Sequence, residues 1–285
     1  NNFGKNIKVY PPFEKISIKE KNNTILSVWG REIEFKGVFP ERIKNQGEEM
    51  LADSIKLFAE KDTKLIPAVI SNPMKITKKS DERVNFIGEY KIGNLIFKID
   101  GFMEFDGMIY YKMSTIIPQN EKILYDRIYL SIPVKENYAK YYFSTSGGWC
   151  PSYGEISEEN KVIWRSDEIA DFVPYVCLSN DKIALHWFAD NDHNWIIGKD
   201  YPTAEILKKD KIVEIRINFV RKKGKIKDFY AEFGLIASPV KPLPSSWRNA
   251  CLHFRPFANS KINFFYGPGH GGCPIDPHDS EKLAK

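Results

Sequence analysis

The sequence is poor in what marks several functional classes. Of its 285 residues only 4 are cysteine and 5 are histidine. The cysteines stand at 150, 177, 251 and 273, and no two have the spacing of a zinc knuckle or a redox motif. No metal and no other cofactor is expected. No apolar run approaches the roughly 18 residues of a membrane helix, so no membrane partner is expected either. The net charge is +5, but the lysines are scattered among acidic residues. The one tight basic cluster, RKKGK at 221–225, has the form of a hairpin tip, so there is no nucleic-acid footprint. No segment repeats at a fixed period, none is of low complexity, and helical periodicity is scarce.

What is present is strand. Runs such as 24–29, 84–90, 95–105, 108–117 and 123–134 are rich in β-branched and aromatic residues. The 14 tyrosines, 19 phenylalanines and 6 tryptophans fall mostly inside such runs, where core and sheet surface is their first reading. Gly93-Asn94 and Asp106-Gly107 mark tight turns between strands. One segment is ambiguous. Leu51, Ile55 and Phe58 fall at helical spacings of four and three, whereas their surroundings favour sheet. Many strands, short turns and little helix predict an all-β protein, a large antiparallel β-sandwich.

The richest stretch is 174–248. Ile183, Leu185 and Trp187 alternate with Ala184, His186 and Phe188, as in a strand between two layers. The loop ADNDHNW follows. Asp192, His193 and Trp195 on it are candidate sugar ligands, with a carboxylate for hydroxyls and an indole for the ring face. The alternative is a loop tied down by its own Asx turns, with His186 a satisfied structural histidine. Trp149 and Tyr153, on the glycine-rich segment 144–155, are candidate stacking platforms. Residues 212–220 and 229–235 read as two strands of one hairpin about RKKGK. Pro239, Pro242 and Pro244 then end sheet pairing and begin a stiff connector. Glu48-Glu49 and Glu158-Glu159 are paired carboxylates in polar, loop-like settings, not the facing pair of a glycosidase.

The tail has another style. An apolar run, INFFY at 262–266, precedes a glycine- and proline-rich loop and the helix-like SEKLAK. Strand, loop and helix open a β/α unit, and a (β/α)₈ barrel takes roughly 200 residues or more. The expected division is therefore a sandwich over 1–245 and a linker with the start of a barrel over 246–285. The chain opens Asn1-Asn2-Phe3, without methionine or signal peptide, and reads as a fragment. His270, Cys273, Asp276 and His278 come nearest to a metal set but fit no standard zinc spacing. His270 and Asp276 are instead candidate sugar contacts, since loops after barrel strands line the active-site mouth. A strand such as INFFY without parallel neighbours packs back on the sandwich, pairs with a second copy as a homo-oligomer, or stays mobile.

Three stretches, GREIEFKGVFPERIKNQGEEMLADSIKL, YVCLSNDKIALHWFADNDHNW and FGLIASPVKPLPSSWR, resemble the N-terminal β-sandwich domain of glycoside hydrolase family 123-like proteins. The resemblance implies a galactose-mutarotase-like supersandwich ahead of a TIM-type catalytic barrel. It implies an N-acetyl-β-galactosaminidase-type activity, with glycans containing amino sugars as substrate and the protein's own barrel as partner. It also implies a secreted or periplasmic bacterial setting. The family's catalytic Asp-Glu pair has no counterpart in this chain, so no catalytic residue is carried over and the chain alone is expected to be inactive. A self-sufficient carbohydrate-binding module and an interaction scaffold are the alternatives. The resemblance tips 50–58 towards strand.

Overall fold

The structure, a computed structural model, describes residues 8–118, 124–146, 151–157 and 161–241. Trp149, His270, Asp276 and the expected barrel segment 246–285 lie outside the described residues. By compactness the chain divides into units Asn1–Pro242 and Leu243–Lys285, and the described residues all belong to the first.

Period-two burial builds this unit. In Arg83–Ile92, Val84, Phe86, Tyr90 and Ile92 point inward, and Leu95–Glu104 and Ile109–Ile116 repeat the alternation. Such strands cover one face with apolar groups and leave the other half-wet, which is the antiparallel arrangement. Nine strands form the largest sheet, in the order Ser152–Glu155, Tyr141–Thr145, Tyr175–Ser179, Ala184–Phe188, Tyr230–Ser238, Ile109–Ile116, Leu95–Glu104, Arg83–Ile92, Val69–Lys79. Six form a second: Lys161–Arg165, Ala204–Lys209, Ile212–Val220, Arg127–Lys135, Lys56–Lys61, Lys64–Pro67. Five, from Ser17–Glu20 to Glu48–Glu49, form a third. Every pairing between named strands is antiparallel, and among the described residues the only helical pieces are two 3₁₀ turns. The described residues form an all-β sandwich, as their sequence pattern predicts.

Both smaller sheets pack on the inner face of the largest. Phe219 of the six-stranded sheet lies 5.3 Å from Phe233, centroid to centroid, and Phe39 from the five-stranded side lies 6.3 Å from the same ring. Phe35 meets Phe86 at 5.6 Å, and Phe39 stacks on Tyr90 at 5.2 Å. Gly101 leaves the space that the Phe86 ring occupies, since a Cβ there would fall 2.3 Å from it. Arg127–Lys135 is buried on both faces. Its outer side carries an ion network in which Arg127 meets Glu60 at 2.8 Å and Glu205 at 2.7 Å and lies over Tyr129 and Tyr201.

Two sequence readings change or resolve. The ambiguous segment is not helical: Leu51 makes an isolated bridge, a bend follows, and Met50, Leu51 and Ile55 are buried ahead of the strand Lys56–Lys61, where Leu57 and Ala59 point inward at period two. Residues 212–220 and 229–235 do not form a hairpin. Ile212–Val220 pairs within the six-stranded sheet, while Tyr230–Ser238 pairs with Ile109–Ile116 and Ala184–Phe188 of the nine-stranded one. The chain crosses between layers, and Gly224–Lys225 pairs with Leu124–Tyr125 on the way. Both strands are apolar enough to be central, so each finds two partners instead of one.

The exit of the strand Tyr230–Ser238 is clamped. Buried Arg31 donates to the carbonyls of Asp106, Ala237 (3.3 Å), Trp29 (3.3 Å) and Val240 (2.7 Å), and Asn45 donates to Ser238 O at 2.6 Å. Burial pulls the Arg31 guanidinium down to about 10, so it stays charged at neutral pH. Removing it strands several buried carbonyls, each at a cost of about 1–3 kcal/mol. Arg31→Ala is therefore expected to lower stability in urea unfolding by about 3 kcal/mol, and Arg31→Lys, whose single ammonium spans fewer of these acceptors, to restore only a minor part.

Candidate functional site

The loop after Ala184–Phe188 is held from both sides. Ala189 N donates to Pro174 O at 2.9 Å, and Tyr230 N donates to Asn194 O at 3.1 Å. Ile196 N donates to Phe219 O, and Arg221 N donates back to Ile196 O. Asp192 is buried and takes a 2.7 Å ion pair from Arg221, which also donates to Asp171 O and Thr203 Oγ1. Burial lowers the Arg221 guanidinium and the charge of Asp192 offsets part of that. Trp195 is 6% exposed, its ring edge-on to Phe219 at 4.7 Å. Of the sequence candidates, then, Asp192 is committed to an ion pair and Trp195 is buried against Phe219, and both hold the loop. His193 is exposed, and its backbone N–H donates to Asn191 Oδ1 in an Asx turn.

His186 is satisfied. Its Nδ1 lies 2.5 Å from Tyr175 Oη and its Nε2 2.7 Å from Ser238 Oγ. Burial pulls the imidazole down to about 4. Cys177, its cross-strand neighbour, is a free buried thiol that burial pushes up to about 12. Tyr153 stands 73% exposed on the edge strand, opposite Phe143.

What the tied loop does form is a pocket. Over the outer face of the nine-stranded sheet, Asp190, Asn191, Asn194 and Trp195 close a cavity of about 300 Å³ with Tyr110, Tyr230 and Glu232. Register puts the last three together. Tyr230 and Glu232 alternate on one strand, and Tyr110 pairs with Gly234 on the next. Gly234 lets the Phe188 ring lie flat on the backbone beside Tyr110, where a Cβ would fall 2.2 Å from it. Tyr110 Oη donates to Glu232 Oε2, Tyr230 Oη donates to Oε1, and Lys112 Nζ sits 3.3 Å from Oε1. These bonds hold the Glu232 carboxyl below the usual range, the Tyr110 bond first. Burial, then the bond to Glu232, raises both phenols, Tyr230 to about 12. At neutral pH the site is a carboxylate cradled by two phenolic O–H groups. Asp190 accepts from Asn191 Nδ2 at 2.8 Å beside it. Among the described residues no cluster of histidine, cysteine, aspartate and glutamate has the form of a metal site.

Sequence reasoning found the loop and missed the floor. Tyr110, Tyr230 and Glu232 read locally as ordinary half-buried strand residues. The one signal was Tyr230-x-Glu232, two polar side chains on a single face of an otherwise apolar strand.

Fold and pocket together define a class, a β-sandwich carrying a polar pocket on its outer sheet face. Residues 18–164, just over half of the chain, match the family described as glycoside hydrolase 123, third domain, and the chain belongs to that family. No curated protein matches it. Among solved structures, the galactose 1-epimerase of Lactobacillus acidophilus NCFM is 8% identical over 81% of this chain and 99% of its own, with a TM-score of 0.40. The GalM/aldose epimerase homologue of C. elegans is 9% identical over 79% and 99%, at 0.39. A copper-containing benzylamine oxidase of Hansenula polymorpha is 7% identical over 79% and 61%, at 0.44. Likeness at these scores carries no activity across to this chain. No helix among the described residues is long and apolar enough to cross a membrane.

His186 has a measurable consequence. The unfolded chain takes up this proton near pH 6.5 and the folded chain only near 4. Stability therefore falls as pH drops through that window, by at most about 3 kcal/mol, and the contribution is nil above it. In thermal unfolding between pH 7.5 and 4.5, His186→Gln is expected to lose distinctly less stability than the wild-type chain.

Proposed function

We propose that this chain is a non-catalytic β-sandwich domain of a glycan-degrading hydrolase of family 123, which supports a catalytic barrel beginning within 246–285. In this reading the sandwich occupies 1–245. The parent enzyme acts on glycans containing amino sugars, of N-acetyl-β-galactosaminide type, and works in a secreted or periplasmic setting. His270 and Asp276 belong to the mouth of the barrel.

Family membership over 18–164 supports the glycan context. The observation that carries the non-catalytic part is the state of Glu232. A glycosidase needs one carboxyl that keeps its proton to near neutral pH, through burial or a neighbouring negative charge. The carboxyl at the floor of the pocket is shifted the opposite way, by two phenolic donors and a lysine. Such a group binds hydroxyls and does not protonate a leaving group.

The second reading, a self-sufficient binding module, draws on the same pocket and on the exposed ring of Tyr153. Hydrolysis assays test the first. The purified chain is expected to release no nitrophenol from nitrophenyl N-acetyl-β-galactosaminide above the buffer rate. Turnover that Glu232→Gln abolishes, with the fold intact by circular dichroism, is the result that would defeat the proposal.

A further inference from the structure

We infer that the pocket framed by Tyr110, Tyr230, Glu232, Asp190 and Asn194 is a subsite for one hydrogen-donating, non-anionic sugar ring. The inference rests on the glycan reading above, and goes beyond it by fixing the charge and polarity of the ring accepted.

The placement of protons decides it. Each phenol has a single O–H, and both are committed inward, to the two oxygens of Glu232. Tyr110 and Tyr230 therefore turn only lone pairs towards the cavity. Glu232 keeps acceptor capacity beyond its bonds to the phenols and Lys112, since a carboxylate offers about four lone-pair positions. Asp190 has one oxygen bonded to Asn191 and the other open, and is exposed at the rim. The donors facing the cavity are the amide of Asn194 and the second proton of Asn191 Nδ2. Acceptors outnumber donors, and the lining carries two carboxylates and no cation, Lys112 pairing with Glu232 from outside it. A sugar hydroxyl donates into such a lining and accepts from Asn194. A uronate or sulfate brings charge of the wrong sign and more acceptors than the two amide donors can meet.

Size and shape agree. A cavity of about 300 Å³ is at the low end for small-molecule sites and suits one ring. The rings of Tyr110 and Tyr230 supply apolar surface beside the polar floor, and Phe102 stacks on Tyr110 from outside the lining at 5.4 Å. The walls are preformed, because the loop is bonded to both sheets, so little ordering is lost on binding.

The test uses the full 285-residue chain and four methyl glycosides in ligand-observed NMR and calorimetry: galactoside, N-acetylgalactosaminide, galactosaminide with its free amine, and galacturonide. The neutral and amine-bearing sugars are expected to bind in the millimolar range, and the galacturonide at least 10-fold more weakly. Tyr230→Phe is expected to weaken the neutral sugars about 5-fold or more. Asn194→Ala, whose exposed side chain is not needed for folding, is expected to do the same. Equal binding of the galacturonide, binding unchanged in both variants, or no binding of any neutral sugar overturns the inference. Those failures leave the absence of hydrolysis untouched. Turnover by the chain defeats the proposed function and not the subsite, so the two are separable.

Discussion

A continuous run of ring contacts crosses the domain and joins its three larger sheets. It starts at Trp195, passes to Phe219 at 4.7 Å, to Phe233 at 5.3 Å and to Tyr111 at 5.2 Å, and ends at Phe39, Phe86 and Phe35. Pairs of this kind contribute about 0.5–1.5 kcal/mol each beyond the burial of their area. Their geometry matters more than their sum. Phe233 takes contacts from the five- and six-stranded sheets at once, so neither can slide over the nine-stranded sheet without disturbing the other. The glycine at 101 is part of the same constraint, because the Phe86 ring takes the place of a side chain there. The pocket inherits this rigidity through Trp195, the first ring of the run and one edge of the cavity.

The two outer faces handle charge in different ways. On the six-stranded sheet, Arg127 and Arg216 lie over Tyr129 and pair with Glu60, Glu205 and Glu214. Most guanidinium donors there are matched by carboxylates of the same sheet, although Arg216 Nε is buried without a partner. On the nine-stranded sheet, phenols and carboxylate also match, but the match consumes the donors and leaves lone pairs over.

The sequence showed the architecture wherever the information is local. Strands came from alternation, and the turns at Gly93-Asn94 and Asp106-Gly107 came from dipeptides that pair their flanking strands at short range. Gly107, at φ +78°, is where such a turn requires glycine. Pairing across the chain was not legible. Tyr230–Ser238 lies beside Ile109–Ile116, more than a hundred residues earlier, and no local signal distinguishes that partner from the nearer Ile212–Val220. The candidate site shows the same division. The loop ADNDHNW was visible as polar turn chemistry, but which members face inward depends on Arg221, far along the chain. Asp192 and Trp195 thus went to the framework. Asp190 and Asn194, beside them, line the cavity, over Tyr110 and Glu232, which only register brings together.

The Arg31 clamp bears on how the sandwich carries tension. A pull on the chain at Lys241 runs back along Val240 and Ala237, whose carbonyls hang on a guanidinium seated in the five-stranded sheet, and past Ser238, held by Asn45 of that sheet. The pull is shared with a second sheet before it reaches the ladder of Tyr230–Ser238. Without the clamp, the same pull would unzip that strand one hydrogen bond at a time and take Tyr230 and Glu232 out of the cavity floor. The clamp thus acts as a strain relief between the exit of Tyr230–Ser238 and the residues of the pocket floor.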